Sequence, residues 1–154
     1  MARRAILVLG ITGLLVGLLA PTAYGKANAT TETVQGFTET FEDINPCTGD
    51  LGEVTVTYNA VFHMTTDPNG GEHVTGTQTG TFHFVPFDSG AETVDGRFTI
   101  WFGGNITDNN EGFWVTFRLK GSGSEGSTFV FNSVEQIHFS NGELRVQFSN
   151  GNCH

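Results

Sequence analysis

The stretch Glu53-Val54-Thr55-Val56-Thr57-Tyr58-Asn59-Ala60-Val61-Phe62-His63-Met64-Thr65-Thr66, followed by Asp67-Pro68-Asn69-Gly70-Gly71 and then Glu72-His73-Val74-Thr75-Gly76-Thr77-Gln78-Thr79-Gly80-Thr81-Phe82-His83-Phe84-Val85, decides the fold. Both runs repeat every two residues, which is the period of a strand with one dry and one wet face. Between them, Pro68 and Asn69 suit a type I turn and Gly70 a left-handed position, so the two runs form an antiparallel hairpin. Val54, Val56, Tyr58, Ala60, Phe62 and Met64 fall on one side; Val74, Gly76, Gln78, Gly80, Phe82 and Phe84 fall on the matching side of the next strand.

Outward from this hairpin the same period continues. Strands are expected at 33–42, 53–66, 72–85, 93–103, 112–120, 127–140 and 143–150. Asn141-Gly142 is the favoured pair for a two-residue type I′ turn between the last two. Gly103 to Glu111 reads as a polar loop and Gly121 to Gly126 as a flexible connector. No window carries a helical stripe. With no helix to cover it, an antiparallel meander of seven to eight strands must hide its apolar face by curling, so a small closed β-barrel is expected, with a β-sandwich as the alternative. The fourteen phenylalanines supply the core.

The first 25 residues differ in kind. Arg3 and Arg4 precede an apolar run from Ala5 to Ala20, and Ala23-Tyr24-Gly25 fits a small-x-small cleavage pattern. The run is about 16 residues, short of the roughly 20 needed to span a bilayer, so residues 1–25 read as a cleaved signal peptide. Residues 26–154 then form one secreted domain with a loose leader at 26–32. Loss of Arg3 and Arg4 would take the formal charge from −9 to −11, leaving Lys26, Arg97, Arg118, Lys120 and Arg145 as the positive groups. Such a surface repels nucleic acid, and the mature chain holds no membrane span. Cys47 and Cys153, exported and without CxxC spacing, read as a disulfide closing a loop of about 105 residues.

Chemistry is less legible. No GxSxG elbow, HExxH, phosphate-binding loop or calcium-loop pattern occurs, and no cofactor is implied. Polar groups on the inward face are Tyr58, Gln78, Glu135 and, between Phe37 and Phe41, Glu39. Together they would hold a small, largely apolar molecule in a lumen, with Glu135 as acid or base if the barrel were an isomerase or cyclase; their plain reading is polar residues at a barrel mouth. His63 and His73, diagonal on the outer face, are a two-ligand metal site at most. Trp101 and Trp114, aligned across the fourth hairpin if Phe102 faces Phe113, offer an outer platform for a glycan or a protein, or simply brace the hairpin. The Asn141-Gly142 turn, continued without a bulge, pairs Glu135 with Phe148 and turns Leu144, Val146 and Phe148 inward.

Phe41-Glu42-Asp43-Ile44-Asn45-Pro46-Cys47-Thr48-Gly49, Val61-Phe62-His63, His73-Val74-Thr75-Gly76-Thr77 and Arg97-Phe98-Thr99-Ile100-Trp101-Phe102 resemble a group of small secreted actinobacterial proteins to which no activity is assigned. The resemblance covers nearly all of the chain after the leader and implies secretion and a shared fold. At the level of fold alone the chain looks like calycin barrels or the allene oxide cyclase and dirigent barrels, which enclose hydrophobic ligands, but no catalytic motif of those families can be placed on its residues.

Overall fold

The computed structural model describes residues 28–154; the expected signal peptide, 1–25, lies outside them. Seven strands follow one another: β1 (Asn28–Ile44), β2 (Leu51–Thr66), β3 (Glu72–Pro86), β4 (Val94–Ile106), β5 (Asn110–Gly123), β6 (Thr128–Ser140) and β7 (Glu143–Cys153). They form a single antiparallel sheet in chain order. The strands outrun the expected ones. Asn28 to Glu32, expected as loose leader, already pair with β2, and the loop after β4 shrinks to Thr107–Asn109 because Thr107 and Asn110 bond across it.

Turn chemistry follows the residues. Gly70 takes φ 86°, and the Asp67 carboxylate accepts from the backbone N–H groups of Asn69 and Gly71 at 2.8 and 3.0 Å. Asn141 and Gly142 take φ 52° and 75°, the two left-handed positions that a type I′ turn requires. In the β1–β2 turn, the buried Asn45 side chain accepts from the N–H of Cys47 at 3.0 Å, which fixes the loop that presents this cysteine.

Packing on the concave face is governed by glycine. Gly76 lies opposite Phe102 and Gly80 opposite Tyr58 and Phe98. A Cβ at Gly76 would overlap the Phe102 ring, and one at Gly80 would sit 2.7 Å from the Tyr58 Cβ. With no side chain beneath them, rings from β2 and β4 close over β3: Phe62 and Phe102 have centroids 5.6 Å apart, Tyr58 and Phe98 6.4 Å. Phe117 and Phe131 extend this chain of rings onto β5 and β6. Val56, Tyr58, Ala60, Phe82, Phe84, Val94 and Phe98 are the buried core, all on β2–β4.

The sheet is rolled but does not close into a barrel, and the single sheet is not a sandwich. Laid flat, the first and last of seven strands would stand about 29 Å apart. Cys47 and Cys153 nevertheless form the disulfide with Cα atoms 5.6 Å apart, so the roll brings the last strand back to the first turn. No hydrogen-bonded ladder joins β7 to β1 among the described residues. Two features account for the open seam. Each edge pair is interrupted by a bulge, at Val34/Phe37 and beside His138/Phe139, and a bulge breaks the row of donors and acceptors that closure needs. Beyond Leu144, the concave side of β7 carries Gln147, Ser149 and Gly151 instead of apolar groups, all exposed.

The second bulge also corrects the expected register. Phe139 pairs with Leu144, but His138 then pairs with Val146, Ile137 with Gln147 and Glu135 with Ser149. Val146 and Phe148 therefore stand on the convex face, 49% and 48% exposed. Arg145, which an unbroken register from the Asn141-Gly142 turn would set across from His138, is the bulged residue and pairs with Glu143 at 2.8 Å.

Gly76→Ala should lower stability by about 1–3 kcal/mol through overpacking. Gly112→Ala, whose Cβ would meet only His138 at an ordinary 3.5 Å, should be neutral or stabilising; urea unfolding compares the two. Replacing Cys47 and Cys153 by Ser should cost about 4–5 kcal/mol, since the bridge spans 106 residues; an unchanged urea midpoint would show that the roll holds without it.

Candidate functional site

Register places the candidate residues in two groups on opposite faces. On the concave side, Ala60 pairs with Gln78 and Tyr58 with Gly80, so Tyr58 and Gln78 are diagonal neighbours as expected. The Gly36 bulge, held by the Asn59 side chain accepting from the Gly36 N–H at 2.8 Å, sets Phe37 opposite Tyr58 and Glu39 opposite Val56. Tyr58 is 5% exposed; its burial, reinforced by the neighbouring Glu39 carboxylate, raises the phenol above its ordinary value. Glu39 itself is exposed, because β1 is an edge of an open sheet. Glu135 is half-buried opposite Val115, and burial raises its carboxyl above 4.5. Two strands of ladder separate it from the Gln78 row, where Ile100 and Phe117 intervene before Ser133. The four polar residues thus share a face without forming one constellation.

The convex face carries the tryptophans. Phe102 pairs with Val115, not Phe113, so Trp101 stands opposite Thr116 and Trp114 opposite Gly103. The expected direct alignment becomes a diagonal one. The absent side chain at Gly103 lets the Trp114 indole lie flat across β4, where a Cβ would come within 2.6 Å of the ring. Each indole remains 42% exposed. Together with Val61, His63, Thr75 and Thr77 they line a shallow hollow of about 200 Å³.

His63 and His73 are diagonal across β2 and β3, yet each is engaged separately. Thr31 Oγ1 bonds His63 Nδ1 at 2.9 Å, and Asn105 Oδ1 bonds His73 Nδ1 at 2.6 Å. Among the described residues no three His, Cys, Asp or Glu side chains gather as metal ligands. A second hollow, between Asp67–Gly71 and Thr107–Asn110, is lined by amides and two carboxylates, one of them already bound to its own turn.

Sequence reasoning missed two contributions. Phe148 and Val146 join the convex face only because of the β7 bulge, and nothing in the run Leu144-Arg145-Val146-Gln147-Phe148 breaks its alternation to announce it. Gly103 as the bed of an indole was legible in principle as a glycine within a strand, a signal of close approach.

No family model, curated protein or solved structure matches this chain. Its disulfide is consistent with an oxidising setting, and no helix among the described residues is long and apolar enough to cross a membrane.

A carboxyl whose folded-state pKa is raised favours the folded state at low pH and loses that contribution as pH rises through its folded value. Glu135→Gln should therefore stabilise the protein at pH 7 relative to the parent, with the gap closing below about pH 4. Urea midpoints at pH 3.5 and pH 7 check this; a gap that grows on acidification would contradict the burial of Glu135.

Proposed function

We propose that this protein is exported and binds carbohydrate through the hollow between Trp101 and Trp114. The observation that carries the reading is the diagonal pair of part-exposed indoles, one lying flat over Gly103, beside a rim of threonine hydroxyls and an imidazole. Exposed indoles are apolar plates with a polar edge, and the C–H face of a pyranose ring stacks on such a plate while its hydroxyls reach neighbouring donors and acceptors. His63 Nδ1 is committed to Thr31, which leaves Nε2 for a ligand. Sequence supports the export: residues 1–25 read as a signal peptide, and the disulfide fits the compartment outside the cell.

A second reading keeps the concave face as the binding surface for a small apolar molecule. It is favoured by the raised phenol of Tyr58 beside Glu39 and the raised carboxyl of Glu135, with the seam between β1 and β7 as the way in. On that reading Tyr58, Gln78, Glu39 and Glu135 are the polar contacts, and a cofactor-free isomerase or cyclase would use Glu135 as its acid or base.

The two readings separate by mutation. Trp101→Ala and Trp114→Ala should each weaken retention in affinity gels containing soluble polysaccharide by about tenfold, the loss of one stacking contact. Tyr58→Phe should leave that retention unchanged. Retention that survives both tryptophan substitutions would move the site off the convex face.

A further inference from the structure

The convex face of the β4–β5 hairpin carries a second feature beside the indoles. The described residues include sixteen acids and only four Lys or Arg, within a chain of net charge −9. Three of those four share one patch. Arg97 pairs directly with Lys120, and Arg118, opposite Thr99, is diagonal to Arg97. Directly opposed side chains on a sheet have Cβ atoms about 5 Å apart, and like charges so placed repel. All three are exposed, and neither ion pair among the described residues involves them. The nearest acid on that face, Asp95 in the adjoining row, is bound to His83 at 2.8 Å. The flanking positions in their rows are Thr81, Val130, Thr79 and Asn132, none of them acidic.

This patch is continuous with the aromatic hollow. Arg118 is diagonal to Trp101 as well as to Arg97, because Trp101 pairs with Thr116 two residues before it. Trp114 is diagonal to Trp101 on the other side. The path Trp114, Trp101, Arg118, Arg97 therefore runs without a break along one hairpin, and Trp101 and Arg97, four residues apart on β4, are separated by about 14 Å. That length accommodates several linked sugar rings. Stacking at one end and a concentration of positive charge at the other describe a ligand that is both sugar and anion.

We propose that the ligand of this face is an acidic polysaccharide, a polymer of uronic acid units, whose rings stack on Trp101 and Trp114 while its carboxylates lie against Arg118, Arg97 and Lys120. The inference rests on the carbohydrate reading above and adds the charge of the substrate. The guanidinium groups suit it because a planar fork bonds a carboxylate through two parallel hydrogen bonds. On an acidic protein the local patch also orients the approaching polymer, since the remainder of the surface repels it.

The test is affinity electrophoresis of the purified protein in gels containing polygalacturonate, alginate or hyaluronate, each run beside its methyl-esterified counterpart, at low and at physiological salt. At least one polyanion should retard the protein, its esterified form should do so about tenfold less, and added salt should weaken retention as ion pairs are screened. The exposed triple substitution Arg97→Glu, Arg118→Glu and Lys120→Glu should abolish the preference for the acid form while leaving the thermal midpoint within a few degrees. Equal retention by acid and ester forms, unchanged by the triple substitution but lost in Trp114→Ala, would overturn the anionic ligand and keep the carbohydrate reading. Binding of phosphatidylglycerol vesicles or duplex DNA through the same three cations, with no polysaccharide retained, would overturn both. So would the absence of retention by every polymer.

Discussion

Everything in this fold depends on aromatic rings lying over glycines of the neighbouring strand. Gly76 on β3 beneath Phe102, Gly96 on β4 against Phe82 and Gly121 on β5 against Phe129 repeat one arrangement across three successive strands. A side chain at any of these points would hold the facing ring upright and keep the sheet open. Its absence lets the rings tilt inward until they meet one another across β3, so apolar area is buried by curvature where the described residues hold no helix or second sheet to cover it. The same device acts once on the convex side, where Gly103 takes the Trp114 indole. There it produces a surface plate instead of a core contact, because nothing among the described residues packs above it.

Curvature without closure has consequences for chemistry. A closed barrel would turn the concave face into a sealed lumen; here the seam leaves Glu39 and Phe37 open to solvent while Tyr58, one strand away, is buried. The disulfide holds the roll at one corner covalently, and the bulged edges are unsuited to sheet-to-sheet pairing with another chain. The convex face gains what the lumen loses. Its two indoles and its three cations occupy the same hairpin, and the Thr-rich strands around them present hydroxyls in place of charge.

Strand identity, strand order and both tight turns were legible from the two-residue period and from Gly70, Asn141 and Gly142, since these follow from local backbone preferences. Face assignment was legible wherever alternation ran unbroken from turn to turn, which placed the inward residues of β2, β3, β4 and β5 and the opposed faces of Tyr58 and Trp101. It failed on β7. A bulge adds one residue to one strand, and the residues Leu144, Arg145 and Val146 satisfy either register equally well, so Phe148 changed sides without any mark in the chain. The offset between Trp101 and Trp114 was misjudged for a related reason: the β4–β5 turn is centred one residue later than its polar composition suggested, which moved the register by two residues.

The sequence by itself determined an all-β meander, its cysteine pairing and an aromatic core, because periodicity, turn residues and the count of two cysteines are properties of the chain alone. Only the tertiary structure decided that the roll stays open, that the two indoles are diagonal with Trp114 laid over Gly103, and that Lys120 rather than Arg118 stands directly across from Arg97 in the patch beside them. Those are matters of registry between strands, and registry is set by the sum of cross-strand contacts rather than by the residues of any one strand.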